Sequence, residues 1–547
     1  MHALFRKHRS TSVVARELGL SQIRVREGLV QHQRNLMRDA GLKPPPLVEM
    51  LRGDVVTRFG VPRSESGGRP AKHIQIGQGV PVGEGEGGPR SFGPVAVPSS
   101  GVLRLIVTAV EPDAAVHAGF WANLKAYAAA VSARIVVIRT SAVATRADLS
   151  SEVGRHVVGE AVVVDGLVDI AADEPLAPRL ARPLDGVRHR ASARWTIFPA
   201  GVVQLETLQR IRAEGLRVHL TTGAVNLPGP GASRWRREVG AVIVEIGCDG
   251  SAHCRHLLSP VDGDGTFHDL DARVSNGAVR FGTPVEALTF GDVHHAHIDP
   301  AVARATWGIG GDPDVPSLVD RLRPTTQVFH DVCDFEARNA HDVRDHHKRF
   351  AQMIAGTGDV GAEMAATARF LADTRREWST SVVVGSNHDA GLLRWLREQD
   401  FREDPTNALF FLESSLDLHR WIERGGDVDG FFERTLRRLH PGELNGVRFL
   451  QPGESLKLAG CEASIHGHLG ADGRPGDVRS FERLGIKATL GHTHRPLTRD
   501  GIYCAGVCNT ELAYARGPIT GWAVGHVVTY PNGVRQHLIF DGHGFHA

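Results

Sequence analysis

Five times between residues 285 and 494 a short apolar run breaks off at a cluster of aspartate, asparagine or histidine. Residues 285–290 end in Gly291-Asp292-Val293-His294, and residues 326–329 end in His330-Asp331-Val332-Cys333-Asp334. Residues 382–384 lead into Gly385-Ser386-Asn387-His388-Asp389, residues 463–465 into His466-Gly467-His468, and residues 488–490 into Gly491-His492-Thr493-His494. Short apolar runs bounded by glycine and polar residues predict buried strands. Open α/β sheets gather their ligands at the carboxyl ends of strands, so the repetition predicts one site assembled from five loops.

The residue types suit metal-assisted chemistry. Asp292 and His294, one residue apart behind a strand, can turn toward one ion, and Asp331 offers two oxygens with which to bridge a pair of cations. An asparagine carbonyl ligates metals; the neighbouring His388 can face substrate, and Asp389 can orient its ring. The chain holds 29 histidines, many of them between 294 and 347 or between 466 and 494. Imidazole is a common ligand for transition metals, whereas His295, His297, His330 and His341 are equally well explained as polar surface or supporting groups. His346 and His347 are the better candidates for substrate contact. Six cysteines without a CxxC pair argue against a zinc ribbon or a disulfide framework and predict reduced, mostly buried thiols.

A chain of 547 residues exceeds one core, so two or three domains are expected. Residues 1–45 carry nine Lys or Arg against three acids, although the whole chain has a net charge of only +1. Within them a short helix, a Gly19-Leu20 turn and a longer helix starting at Ser21 have the spacing of a helix-turn-helix, with Gln22, Arg24, Arg26 and Gln31 placed to contact DNA. A basic hairpin that packs or self-associates is the alternative. Ten glycines and five prolines in residues 64–101 predict a linker, and its GEGEGG stretch at 83–88 is a spacer with no strand before it. Residues 102–284 predict an α/β accessory region that opens strand, helix, strand at 102–110, 118–131 and 134–138. Residues 285–547 carry the five clusters. No apolar run reaches the roughly 18–20 residues that cross a bilayer, and no apolar stretch follows the basic N-terminus, so a cytoplasmic location without membrane contact is expected.

The order DxH, DxxD, NHD, HGH, GHTH resembles the calcineurin-like metallophosphoesterase superfamily. The resemblance implies a β-sandwich flanked by helices and a site for two divalent metal ions. Asp292, His294 and His494 would hold one ion, Asn387, His466 and His492 the other, and Asp331 both; His468 is the alternative to His466. Asp334 would support ligands rather than bind, and His388 would be the general acid, oriented by Asp389. The oxygen and imidazole donors suit manganese, iron or zinc, and the resemblance favours manganese. His330 and Ser386 stand where the superfamily usually has glycine, which suggests a distinct subfamily.

Residues 119–127 (GFWANLKAY), 221–224 (TTGA), 265–271 (GTFHDLD) and 386–389 with 394–396 look like the pre-early host-DNA-degradation proteins of T-five-type bacteriophages. That likeness implies a phage-encoded DNase acting in the host cytoplasm, with DNA as its partner; a homo-oligomer stays open. A nucleotidase or cyclic-nucleotide phosphodiesterase is the first alternative. A DNA-binding regulator with a vestigial phosphoesterase body is the second.

Overall fold

The computed structural model describes residues 18, 35, 95–111, 114–140, 151–176, 180–227, 238–340, 342, 344–509, 511–512, 517–542 and 544–546. The chain divides into two compact units, Met1–Gly83 and Glu84–Ala547. In the first, Leu18 and Asn35 are helical. The proposed DNA contacts Gln22, Arg24, Arg26 and Gln31 lie outside the described residues, as does the 83–88 spacer.

Two sheets of the second unit carry the five clusters. The first has six strands in the order Val447–Phe449, Thr380–Val383, Thr326–Phe329, Ala287–Thr289, Gly525–Thr529 and Arg535–Ile539. Its first four strands are parallel, and the last two pair antiparallel. Successive side chains of a strand point to opposite faces, and both faces here are apolar. Ala287, Val328 and Val382 pack with Leu458 of the second sheet and with Leu456 and Ala463, which flank its first two strands. Leu288, Phe329 and Val383 point the other way, into a core shared with Val302 and Trp307 of helix Pro300–Trp307 and with Met364 and Leu371 of helix Val360–Asp373.

The second sheet has ten strands and is built from both halves of the unit. Its order begins Lys457–Leu458, Cys461–Glu462, Ala488–Leu490, Ile502–Cys504 and Leu497–Arg499. It continues through Leu205–Thr207, Val218–Thr221, Trp195–Phe198, Val168–Ile170 and Val162–Val164. The join is the antiparallel pairing of Leu497 with Glu206 and of Thr498 with Leu205. Residues 102–284 and 285–547 thus share a sheet. The sequence shows the strands of both segments but not this pairing, because a backbone ladder leaves no mark on residue type.

The βαβ opening is observed as strand Val102–Val110, helix Ala118–Ala130 and strand Arg134–Arg139, with the two strands parallel. A four-stranded sheet completes it, in the order Ala252–Ser259, Val239–Gly247, Val102–Val110, Arg134–Arg139. Beneath it lies a buried ionic cluster. Arg255 donates to Glu245 at 2.7 Å and to Asp269 at 2.8 and 2.9 Å, while Tyr127 and Gln536 donate to Asp269 at 2.7 and 2.9 Å.

Of the five expected strands, Thr326–Phe329 and Ala488–Leu490 appear with those bounds. The fourth differs: the strand is Cys461–Glu462, and residues 463–465 leave the ladder. Glu462 is the reason, since its Oε1 accepts from the backbone N–H of Leu456 at 2.8 Å and of Ser464 at 3.2 Å. All six cysteines are free thiols, five of them buried and Cys248 exposed. Among the described residues no helix is long and apolar enough to cross a membrane.

Candidate metal centre

Two of the clusters leave their strands through a glycine that no side chain could replace without a clash. At Gly291 a side chain would meet backbone at 2.7–2.8 Å from Val507, Gly506 and Gly525. At Gly491 a Cβ would lie 2.4 Å from Asp292 Oδ1 and 3.0 Å from the His330 ring. Both glycines let neighbouring chains close on the site. Beyond Gly291 the backbone is held along the next loop, with the N–H groups of Val293 and His294 donating to the carbonyls of His330 and Asp331 at 3.0 and 2.7 Å.

Four of the seven expected ligands sit in the left-handed region: His294 at φ 42°, Asp331 at 46°, His492 at 69° and His494 at 54°. Non-glycine residues adopt this conformation at a cost of order 1 kcal/mol or more, and such residues concentrate at functional sites. Here the reversal stops the strand and turns the side chain inward.

The side chains meet. His494 Nε2 lies 3.0 Å from Asp292 Oδ2 and 3.2 Å from His294 Nε2. Asp331 Oδ2 lies 3.7 Å from His294 Nε2 and 3.3 Å from His466 Nε2, so one oxygen faces both groups. His466 Nε2 is in turn 3.1 Å from Asn387 Oδ1, and its ring is 5.2 Å from that of His492. Asp292, His294, Asp331, His466 and His494 are buried, whereas His492 is half-buried and Asn387 exposed. One side of the centre is therefore closed by protein and the other opens to solvent. His468, the alternative to His466, lies beside it with ring centroids 5.2 Å apart.

The residues fit a metal. Asp292, His294, Asp331 and His494 each offer a ligand atom within 4.8 Å of the others, all buried. Asp292 Oδ1 and Asp331 Oδ1 are buried without a hydrogen-bond partner among the described residues. Buried carboxylate oxygens without a partner are costly unless a cation joins them. Burial alone would raise the Asp331 carboxyl, but His466 and its neighbours reverse this and hold it well below the usual range.

Asp334 reaches both His294 and His388. Its Oδ1 is 2.8 Å from His294 Nδ1, which turns His294 Nε2 toward the centre. The same oxygen is 3.3 Å from His388 Nδ1, and the Asp334 carbonyl is 3.0 Å from it. Asp334 thus holds the His388 ring, the role expected of Asp389. Asp389 is turned elsewhere: its Oδ1 accepts from the Cys333 N–H at 3.0 Å, and its own N–H donates to Ser386 Oγ at 3.1 Å. Adjacent residues leaving a turn diverge, so sequence proximity misassigned the orienting acid. Burial, the largest single influence on His388, lowers its pKa, but Asp334 and Asp331 together push it up to about 10.

His346 and His347 are exposed at the start of helix His346–Ala355, whose N-cap Asp345 accepts from the His347 and Lys348 N–H groups. His330 fills the space beside Gly491, neutral because burial depresses it to about 4, with both ring nitrogens buried and unpartnered among the described residues. His297, expected to be a polar surface or supporting group, joins Asp334 at 3.5 Å and Glu336 at 2.6 Å. Its position three residues after His294, like that of Glu336 two after Asp334, was the available signal. Trp522 also packs on the centre, 4.4 Å from the His494 ring, and nothing local in the sequence marks it.

The chain is 29% identical over 467 residues to Protein A1 of Escherichia phage T5, an alignment that covers 81% of this chain and 83% of that protein. No protein-family model matches the chain. No solved structure matches it.

Proposed function

We propose that this protein is a metal-dependent phosphodiesterase of the calcineurin-like type that cuts DNA during phage infection. The observation that carries the reading is the position of Asp331, whose Oδ2 stands 3.7 Å from His294 Nε2 and 3.3 Å from His466 Nε2, between two sets of expected ligands. On this reading Asp292, His294 and His494 would hold one divalent ion, Asn387, His466 and His492 would hold a second, and Asp331 would serve both. Bound ions supply Lewis acidity toward phosphoryl oxygens and lower the pKa of water enough for attack near neutral pH. Mixed oxygen and imidazole donors suit manganese, iron or zinc, and manganese is our choice.

His388 protonates the leaving oxygen. It stands on the open side, half-buried, and Asp334 favours its charged, proton-bearing form. Two features support DNA as the substrate: the basic residues 1–45, and the similarity to a phage protein. A tethered basic head raises the local concentration of a polyanion beside the catalytic unit.

The test incubates linear duplex, circular duplex and single-stranded DNA, mononucleotides and a bis-aryl phosphate with manganese, then repeats each with chelator. DNA shortening abolished by chelator is the expected result. Hydrolysis of mononucleotides alone would make the protein a nucleotidase, and inertness toward all substrates would favour a DNA-binding regulator. Removal of residues 1–63 should weaken DNA binding and flatten its salt dependence while sparing the aryl ester.

A further inference from the structure

A cavity of about 280 Å³ adjoins the metal centre. It shares Asp334, Asn387 and His388 with the centre, and the rest of its wall comes from residues 335–340 and from helix Gly391–Glu398 with Gln399. We propose that it seats one unpaired nucleoside, the group that departs with the leaving oxygen. The proposal rests on the phosphoesterase reading above, through His388.

Placement is the first reason. A general acid must touch the oxygen it protonates, so the leaving group has to lie against His388. The cavity is lined by His388 itself.

The lining is the second. Phe335 and Trp395 supply apolar rings, 6.2 Å apart between centroids. Asn339 and Gln399 add carboxamides, each able to donate and accept, as the edge of a nucleobase requires. Of the two arginines in the wall, Arg338 is committed to Asp404, at 2.6 Å through Nη2, and is buried. Arg394 is exposed and held by a single i,i+4 pair to Glu398 at 3.2 Å, a contact weak enough to yield to the next phosphate of a strand.

Size is the third. At about 280 Å³ the cavity sits just below the lower end of ligand clefts, roughly 300 Å³, which admits one nucleoside and no base pair. A duplex must therefore open at the cleaved position. Opening costs least where the base is mismatched or already single-stranded.

Ala340, half-buried in the wall and itself neither an expected ligand nor the acid, permits a direct test, because Ala340→Trp takes up cavity space. The full-length, manganese-loaded protein is assayed on a single-stranded oligonucleotide, a matched duplex, the same duplex mismatched at the cleaved position, and methyl 4-nitrophenyl phosphate. The wild type should cut the single strand about tenfold faster than the matched duplex, with the mismatch restoring most of the difference. Ala340→Trp should lose about tenfold or more in kcat/KM on the oligonucleotide and stay within about twofold on the small diester. Arg394→Ala, a surface change, should raise the oligonucleotide KM about fivefold and leave kcat unchanged.

Equal rates on single strand and matched duplex would overturn the proposal, as would wild-type activity of Ala340→Trp on the oligonucleotide; both results leave the phosphoesterase reading standing. If Ala340→Trp loses both substrates, Arg394→Ala decides: a raised oligonucleotide KM supports the subsite, and an unchanged one overturns it. A wild type inert toward every diester would sink the phosphoesterase reading itself, and the subsite with it.

Discussion

Two buried clusters of charge in the same compact unit are compensated in opposite ways. Around Arg255 the cation is a guanidinium that cannot be deprotonated, and its donors meet Glu245 and Asp269 at 2.7–2.9 Å. Burial would raise the Glu245 carboxyl, but Arg255 and Arg104 outweigh it and bring it to about 2. That cluster is complete within the protein. Around Asp331 the partners are imidazoles, which carry charge only when protonated, and carboxylate oxygens of Asp292 and Asp331 are left over. Asp389 shows the strain: burial first, and then the charge of Asp331, push it up to about 6. The four left-handed residues lie in this second cluster, and none is at Glu245, Arg255 or Asp269. The first group is closed by its own guanidinium, whereas the second has the residue types and geometry that fit a cation.

Substitutions should separate the two clusters. The largest effect is expected of Asp331→Ala, which should abolish metal uptake and slow hydrolysis about a thousandfold or more, since metal assistance contributes several kcal/mol at about 1.4 kcal/mol per tenfold. Metal content measured beside the rate checks it; retained metal with full activity would erase the distinction between the clusters. Arg255→Met should instead cost about 3–5 kcal/mol in denaturant unfolding by stranding two buried carboxylates, without altering metal affinity. A normal unfolding midpoint would show that the Arg255 cluster does not hold the fold.

His388→Gln should keep its metal and lose about a hundredfold in kcat on DNA. A nitrophenyl ester, whose leaving group needs no proton, should lose far less; equal losses would remove His388 as the acid. Manganese at a hundred times its dissociation constant should stabilise the wild type by about 2.7 kcal/mol and leave Asp331→Ala where it was, as thermal melting would reveal.

The smallest effect concerns His297, whose pKa Asp334 and then Glu336 push up to about 10, from an ordinary value of about 6.5. A raised folded pKa means stability fully present below pH 6.5 and lost as pH climbs through 10. Melting temperatures of the wild type should therefore fall between pH 6.5 and 10 by more than those of His297→Gln. Parallel curves would show that the pairing contributes nothing.

The amino-acid order was enough to find the strands that end in clusters of aspartate, asparagine and histidine, because that signal is local: apolar residues run together until a polar residue of ligand type interrupts them. It was enough, too, to single out Asp334, which the fold sets against His294 and His388. It misplaced the start of the fourth loop, where a Glu462 side chain draws the backbone off the ladder, and it gave Asp389 the work of Asp334. Those errors have one cause. Which carboxylate faces His388 depends on how a turn splays adjacent side chains and on a loop more than fifty residues away, and residue type records neither. The tertiary structure alone decided that strands from residues 162–221 complete the sheet bearing His466, His492 and His494, that Trp522 packs on His494, and that a cavity opens beside His388. Ligand identity is chemistry written in single residues; orientation, partnership and empty space are properties of the packed chain.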